Sequence, residues 1–181
     1  MNRSFRVHAA VPLAVLCVAL VATPALRAQA GAQPVIQWSV TGAAQLYDIV
    51  GISDGGHALS LTRLPDVGGG LNQYAAAAAN VNAEPYRGRR VRMHALIRTD
   101  SATMGGTTWL RIDGETGMLA LENNSSRKLS GTTGWTEQVT TLDVPATATR
   151  IMYGLILRGG GTVHAKDVTI ENVAPPASGA P

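Results

Sequence analysis

Tyr86-Arg-Gly-Arg-Arg-Val-Arg-Met93, Trp109-Leu-Arg-Ile-Asp-Gly114, Gly131-Thr-Thr-Gly-Trp135 and Gly159-Gly-Gly-Thr-Val-His-Ala-Lys-Asp-Val168 decide the fold. Each is a short alternating run or the turn that feeds one. Val91, Met93, Ala95 and Ile97 alternate with Arg92, His94 and Arg98. A period of two puts one set inside and the other in water, which is a half-buried strand rather than a helix. Ile151, Tyr153, Leu155 and Leu157 alternate with Met152 and Ile156, so that strand is apolar on both faces, as at the centre of a sandwich. Val163, Ala165 and Asp167 alternate with His164, Lys166 and Val168 in a last strand.

Glycine-rich turns punctuate these runs at Asp54-Gly-Gly, Gly68-Gly-Gly, Met104-Gly-Gly, Asp113-Gly, Thr133-Gly and Gly159-Gly-Gly. Strands at this spacing predict an all-β fold, an antiparallel jelly-roll β-sandwich over residues 33–173. The run Tyr74-Ala-Ala-Ala-Ala-Ala-Asn80 has helix propensity, but glycines before it and Asn80-Val-Asn after it leave little over two turns. Alanine strands suit sheets that approach closely, and a strand is expected there. Residues 174–181, Ala-Pro-Pro-Ala-Ser-Gly-Ala-Pro, are too rich in proline and small side chains to pack and are expected to be disordered.

Residues 1–30 have the layout of a signal peptide. Arg3 and Arg6 form a basic start, Val11 to Ala22 an apolar middle, and Ala28-Gln-Ala30 a small-x-small cleavage site before Gly31. Pro12 and Pro24 bracket too few residues for a membrane span, which needs about 18 apolar residues. Cys17 lies within that middle and follows Leu16, where a lipoprotein signal would place a small residue. Cleavage therefore discards the single cysteine, so neither a disulfide nor a thiol serves the mature domain. Cleavage also changes the charge. The chain carries fifteen basic and twelve acidic residues. Losing Arg3, Arg6 and Arg27 leaves twelve against twelve. A neutral exported domain, periplasmic or secreted, has no electrostatic reason to bind nucleic acid or to insert in a membrane. Arg87, Arg89, Arg90 and Arg92 cluster, but with Tyr86 as the one aromatic nearby they fit a solvated strand face.

The order of motifs carries a resemblance. Trp38, Gly42, Tyr47-Asp-Ile, Gly56-His-Ala-Leu-Ser-Leu, Gln73-Tyr, the Tyr86 strand, Trp109-Leu-Arg-Ile-Asp-Gly, Gly131-Thr-Thr-Gly-Trp, Leu142-Asp-Val-Pro, Tyr153-Gly-Leu-Ile-Leu and Gly161-Thr-Val follow one another. That series resembles galactose-binding-like jelly-roll domains, the superfamily of many carbohydrate-binding modules. It resembles more narrowly a little-characterised bacterial branch, found alone or fused to transcription regulators and peptidases. The branch has an aromatic where this chain has His164, an Asp where it has Lys166, and Phe-Asp-Asn-Met where it has Leu121-Glu-Asn-Asn124. The resemblance implies fold more than function. It also implies a carboxylate in the last strand, which makes Asp167 the candidate ligand of a structural calcium.

Motifs for catalysis are sparse. Gly51-Ile-Ser53-Asp-Gly55 matches G-x-S-x-G, but it leads into the β run Ala58 to Leu64 instead of a helix, so a hairpin turn is the plainer reading. His57, His94 and His164 lack zinc-site spacing, though His94 and His164 are placed to share a sheet face. Asn123 and Asn124 open formal glycosylation sequons. Trp38 and Tyr153 read as core, and Trp135 as a plug at a sheet end. By period two Trp109, Arg111 and Asp113 share one face, and they are the candidate contacts for a small molecule or glycan on a concave sheet. The expected function is non-catalytic binding. The alternatives are an envelope interaction domain, pairing through an exposed Ala75–Ala79 edge, and, remotely, an esterase using Ser53. The glycine clusters at 68–70 and 159–161 are expected to be the weakest links.

Overall fold

A computed structural model of the chain describes residues 35–66, 68–70 and 72–173. Residues 1–30, read from the sequence as a signal peptide, and residues 174–181, read as a disordered tail, lie outside the described residues. Among the described residues eleven strands form two antiparallel sheets. They are β1 (Ser39–Gly42), β2 (Tyr47–Ser53), β3 (Ala58–Arg63), β4 (Tyr74–Asn82), β5 (Arg90–Asp100), β6 (Ala102–Gly114), β7 (Gly117–Glu122), β8 (Leu129–Gly131), β9 (Thr136–Asp143), β10 (Ala148–Arg158) and β11 (Thr162–Val173). One sheet runs β1-β4-β10-β6-β7, with β8 paired beside β7 on β6. The other runs β2-β3-β11-β5-β9. This is the antiparallel sandwich the alternation predicts.

The core is what period two dictates. Val91, Met93, Ala95 and Ile97 of β5 face Leu110 and Ile112 of β6 and Ile151, Tyr153, Leu155 and Leu157 of β10, all buried. Each fully buried Leu or Ile contributes roughly 1.5–3 kcal/mol. The alanine run is strand β4, hydrogen-bonded to β1 on one side and β10 on the other. It is therefore interior to its sheet, and the exposed edge on which an interaction role was premised does not exist. Ala75, Ala77 and Ala79 face the core, while Ala76 and Ala78 face outward and are still buried.

Two glycine clusters differ from expectation. Met104-Gly105-Gly106 is not a turn but lies inside β6. A Cβ on Gly106 would come within 2.7 Å of the Val163 side chain on the facing sheet, and one on Gly105 within 2.9 Å of the Leu129 carbonyl. Close approach requires those glycines, not chain reversal. Gly159–Gly161 does form a turn, but a firmly held one. Gly159 N donates to Gln73 O, Gly160 N to Thr103 Oγ1, and Arg63 N to Gly161 O. The Tyr47 hydroxyl sits 2.8 Å from the Gly159 carbonyl.

The last strand contains a bulge between Lys166 and Thr169, with Asp167 at φ +55°. The extra residue shifts the alternation, so Val168 is buried and Asp167 exposed, opposite to a straight reading of the sequence. Trp135 is not a buried plug. It is 44% exposed, with the Arg98 guanidinium 5.4 Å and Lys166 Nζ 4.7 Å from its ring centre. Trp38 is half-buried, meets Tyr153 edge-to-face at 5.9 Å and donates to Gly56 O. Burial, aided by nearby Tyr86, pushes the Tyr153 phenol up to about 12.

Candidate functional site

The outer face of the β4-β10-β6 sheet has an apolar floor. Trp109 stands opposite Gly154 of β10, which in turn stands opposite Ala78 of β4. The indole Nε1 reaches the Ala77 carbonyl, 3.4 Å away, so the ring crosses β10 and lies over Gly154. Ala76 and Ala78 pack beneath it, and Met152 and Ile156 flank it. Small residues at these positions form the bed that a flat indole needs. Trp109 is consequently only 6% exposed: it is floor, not a projecting platform.

Arg111 and Asp113 lie on the same face, as period two predicts. They bond to each other, and Arg150 binds the second carboxylate oxygen at 2.8 Å. Asp113 is 5% exposed at its side chain, whereas the two arginines reach solvent. Burial opposes its ionisation, but hydrogen bonds from Arg150 and Arg111 outweigh that and hold the carboxyl below its usual range. With both oxygens occupied by arginines, Asp113 fixes the cations more than it offers an acceptor to a ligand. The three predicted residues are thus brought together, and Arg111 is the one with a free surface.

The opening itself is centred elsewhere, toward the other end of β10. Tyr74, Thr107, Asn123, Ser125, Lys128 and Arg158 are among the residues around a groove of about 550 Å³, with Ile156, Leu121 and Gly105 completing much of the apolar part. Tyr74 is 46% exposed, and the Arg158 guanidinium lies 5.3 Å from its ring centre. Tyr74 and Arg158 meet because they are cross-strand partners in the β4–β10 ladder.

One wall of the groove is the segment between β7 and β8, held by a buried polar network. Asn124 adopts a left-handed conformation (φ 46°, ψ 30°), which asparagine tolerates better than other non-glycine residues. Its Nδ2 donates to Thr108 Oγ1 at 2.8 Å and to Thr140 Oγ1 at 2.5 Å. Gln138 Oε1 accepts from Thr108 N and Thr108 Oγ1, and Gln138 Nε2 donates to Arg127 O at 2.8 Å. Asn124 and Gln138 are buried, so these bonds fix the wall from below. Burial also removes Asn124 as a glycosylation acceptor.

The opposite sheet presents a polar face. Ser60 Oγ is 2.7 Å from His164 Nδ1, and His164 Nε2 is 2.7 Å from Asp100 Oδ2. The connectivity is that of a hydrolytic triad with the two ring nitrogens exchanged. Ser60, His164 and Arg98 are partners across the β3-β11-β5 ladder, so the serine lies within a sheet strand and not on the exposed turn of a nucleophile elbow. The hydrogen bond from His164, with support from Arg98, holds the Asp100 carboxyl below its usual range. His94 is on this face too, bonded to Glu137. Arg90 pairs with Asp143 and Arg92 with Glu171, so half of the basic cluster is neutralised.

Ser53 ends β2, and a single 3-10 turn over Asp54–Gly56 leads directly into β3. The strand-to-helix elbow of a nucleophilic serine is absent at that turn. Asp167 borders a second hollow of about 440 Å³ with Asp54, Gly55, His57 and Thr169. His57 Nδ1 donates to Val168 O, which leaves Nε2 as a buried atom without a partner. Two carboxylates and a hydroxyl fall short of the six to eight oxygens calcium takes unless carbonyls complete the set. Among the described residues no group of three or more His, Cys, Asp or Glu is placed to hold a metal. Among them, too, no helix is long and apolar enough to cross a membrane.

Comparison with known proteins agrees with this architecture. No family model matches the chain. An uncharacterised HTH-type transcriptional regulator of Bacillus subtilis (strain 168), YbfP, is 31% identical over 116 residues. That match covers 64% of this chain but only 38% of the regulator. Among solved structures, a CBM4 module superposes with a TM-score of 0.52 at 15% identity, over 78% of this chain and 90% of the module. The enzymatically active domain of bacteriophage CBA120 tailspike protein 4 gives 0.51 at 15% identity, over 77% of this chain and 19% of that one. The fold is an antiparallel β-sandwich like that of the CBM4 module.

Sequence reasoning found the floor but missed Tyr74, Asn123, Ser125, Lys128 and Arg158. They come from three segments whose adjacency depends on strand order. Tyr74 did carry a signal: it is the aromatic heading the alanine run.

Proposed function

We propose that this protein is a non-catalytic glycan-binding domain working outside the cytoplasm, in the periplasm or beyond, after removal of residues 1–30. The observation that carries this reading is the groove between Tyr74 and the 121–128 segment. It combines a half-exposed aromatic ring, an apolar floor and amide, hydroxyl and cationic donors. Sugar rings stack on the first and present hydroxyls to the last. The fold shared with a CBM4 module supports the reading. Tyr74, Asn123, Ser125, Lys128 and Arg158 are the contacts, Trp109 is the floor, and Arg111, fixed by Asp113, extends the surface. The short turn that follows Ser53 and the mid-strand position of Ser60 favour binding over ester hydrolysis.

A glycan array probed with the protein tests this. Binding to at least one oligosaccharide, with at least about a tenfold loss in Tyr74→Ala, is the expected result. No binding across neutral and acidic glycans, or undiminished binding by Tyr74→Ala, rejects it. Amino-terminal sequencing of the exported protein tests processing, with Gly31 the expected first residue.

A further inference from the structure

The outer face of the β4-β10-β6 sheet is one-sided in charge. Among the described residues no carboxylate lines the groove, whereas Lys128 and Arg158 both do. Arg158 is stacked on Tyr74, and among the described residues neither cation is paired with a carboxylate. At the far end of β10, Arg111 and Arg150 share the single carboxylate of Asp113, which leaves one positive charge over. Arg150 and Arg158 are eight residues apart on one strand, about 26 Å at roughly 3.3 Å per residue. Between them lies the neutral floor of Trp109, Met152 and Ile156. On the opposite sheet, by contrast, Arg90, Arg92 and Arg98 each face a carboxylate. Four cations against one acid on this face, on a domain with twelve basic and twelve acidic residues beyond residue 30, select a ligand of opposite sign.

We propose that the groove takes an anionic saccharide, carboxylated or sulfated, whose ring packs beside Tyr74 while its acidic group is held by Arg158 and Lys128. A longer chain extends over the Trp109 floor toward Arg111 and Arg150. This rests on the glycan-binding reading above and narrows its ligand. A planar guanidinium gives a carboxylate or sulfate two parallel donors, and the Lys128 ammonium adds a mobile point charge. A neutral sugar would leave both cations without a counter-charge.

Calorimetric titration with matched ligands tests it: galacto-oligosaccharides, oligogalacturonates of equal length, sulfated galacto-oligosaccharides, and xylo-oligosaccharides with and without glucuronate branches. Acidic members are expected to bind at least about tenfold tighter than their neutral counterparts at low salt, with the advantage shrinking as ionic strength rises. Arg158→Gln and Lys128→Gln should each weaken the acidic ligand about five- to tenfold and any neutral counterpart by less, so that the acidic preference shrinks. A preference for uronates or for sulfated sugars identifies the source of the charge, and either supports the proposal. Neutral ligands bound as tightly as acidic ones, or acidic binding indifferent to both substitutions, overturns it while the glycan-binding reading stands. Silence toward every saccharide removes both. Unchanged circular dichroism and melting of the two variants keeps a loss of binding from being a loss of fold.

Discussion

Replacing Asn124 by alanine probes the link between the buried network and the groove. The side chain donates two hydrogen bonds to Thr108 and Thr140 from a buried position, at a backbone conformation alanine resists. Two buried hydrogen bonds account for about 1–3 kcal/mol. The left-handed backbone adds about 1 kcal/mol for a residue with an ordinary Cβ. The expected cost of Asn124→Ala is therefore about 2–4 kcal/mol, a large share of a small domain's stability. Asn124→Gly separates the two parts. It frees the backbone of strain and loses only the amide bonds, so it should cost about 1 kcal/mol less than alanine. Urea unfolding followed by tryptophan fluorescence measures both, through a shift in midpoint at constant slope. A cost for Asn124→Ala below about 0.5 kcal/mol would refute the view that this amide anchors the wall. Equal costs for Ala and Gly would refute the backbone contribution alone.

Gly154→Ala should be more damaging, by about 3 kcal/mol or more, because the new Cβ would fall 1.9 Å from the Ala77 carbonyl; thermal melting measures it. Trp135→Ala, by contrast, should cost under about 1 kcal/mol in urea unfolding, since that ring is exposed and its contacts are two solvated cations. Stability should fall at both pH extremes. Asp113 has its folded-state carboxyl below the usual range, so its contribution is present above about pH 4 and is lost as pH falls through the lower folded value, which Asp113→Asn should abolish in acid titrations. Tyr153 shifts the other way, from 10.0 to about 12, so its contribution is intact below pH 10 and disappears between 10 and 12, roughly 2–3 kcal/mol in alkaline titration. Melting should be unchanged by a chelator; a drop in midpoint would establish a structural cation near Asp54 and Asp167.

The parts legible in the sequence are those where one physical rule acts alone. β5 and β10 alternate cleanly because their neighbours on each side bury the same parity throughout. The alanine run was readable as a strand from its flanking glycines and asparagines, but not as an interior one, since edge position depends on where β1 docks. Three features resisted. Gly105 and Gly106 look like a turn because sequence does not reveal that Val163 presses on them from the other sheet. Asp167 takes the extra position of a bulge, which inverts the parity of everything after it. Trp135 carries the composition of a core residue but sits just before β9 begins, on the exposed side. The site follows the same logic. Trp109, Arg111 and Asp113 were found together because one strand supplies all three, whereas Tyr74, Lys128 and Arg158 belong to strands and a connection far apart in the chain.

The wall between β7 and β8 divides its labour residue by residue. Asn124 and the Arg127 carbonyl point down into the network, whereas Asn123, Ser125 and Lys128 line the groove. Anchors and contacts interleave along a few successive positions, yet they have no shared atoms. Positions 125 and 128 are therefore free to vary in chemistry while the attachment stays constant, much as interchangeable bits seat in one shank, whereas Asn123 also accepts from Ser125 N and helps hold the segment. Substitution at 125 and 128 can change what the groove presents at little cost to the stability of the sandwich beneath.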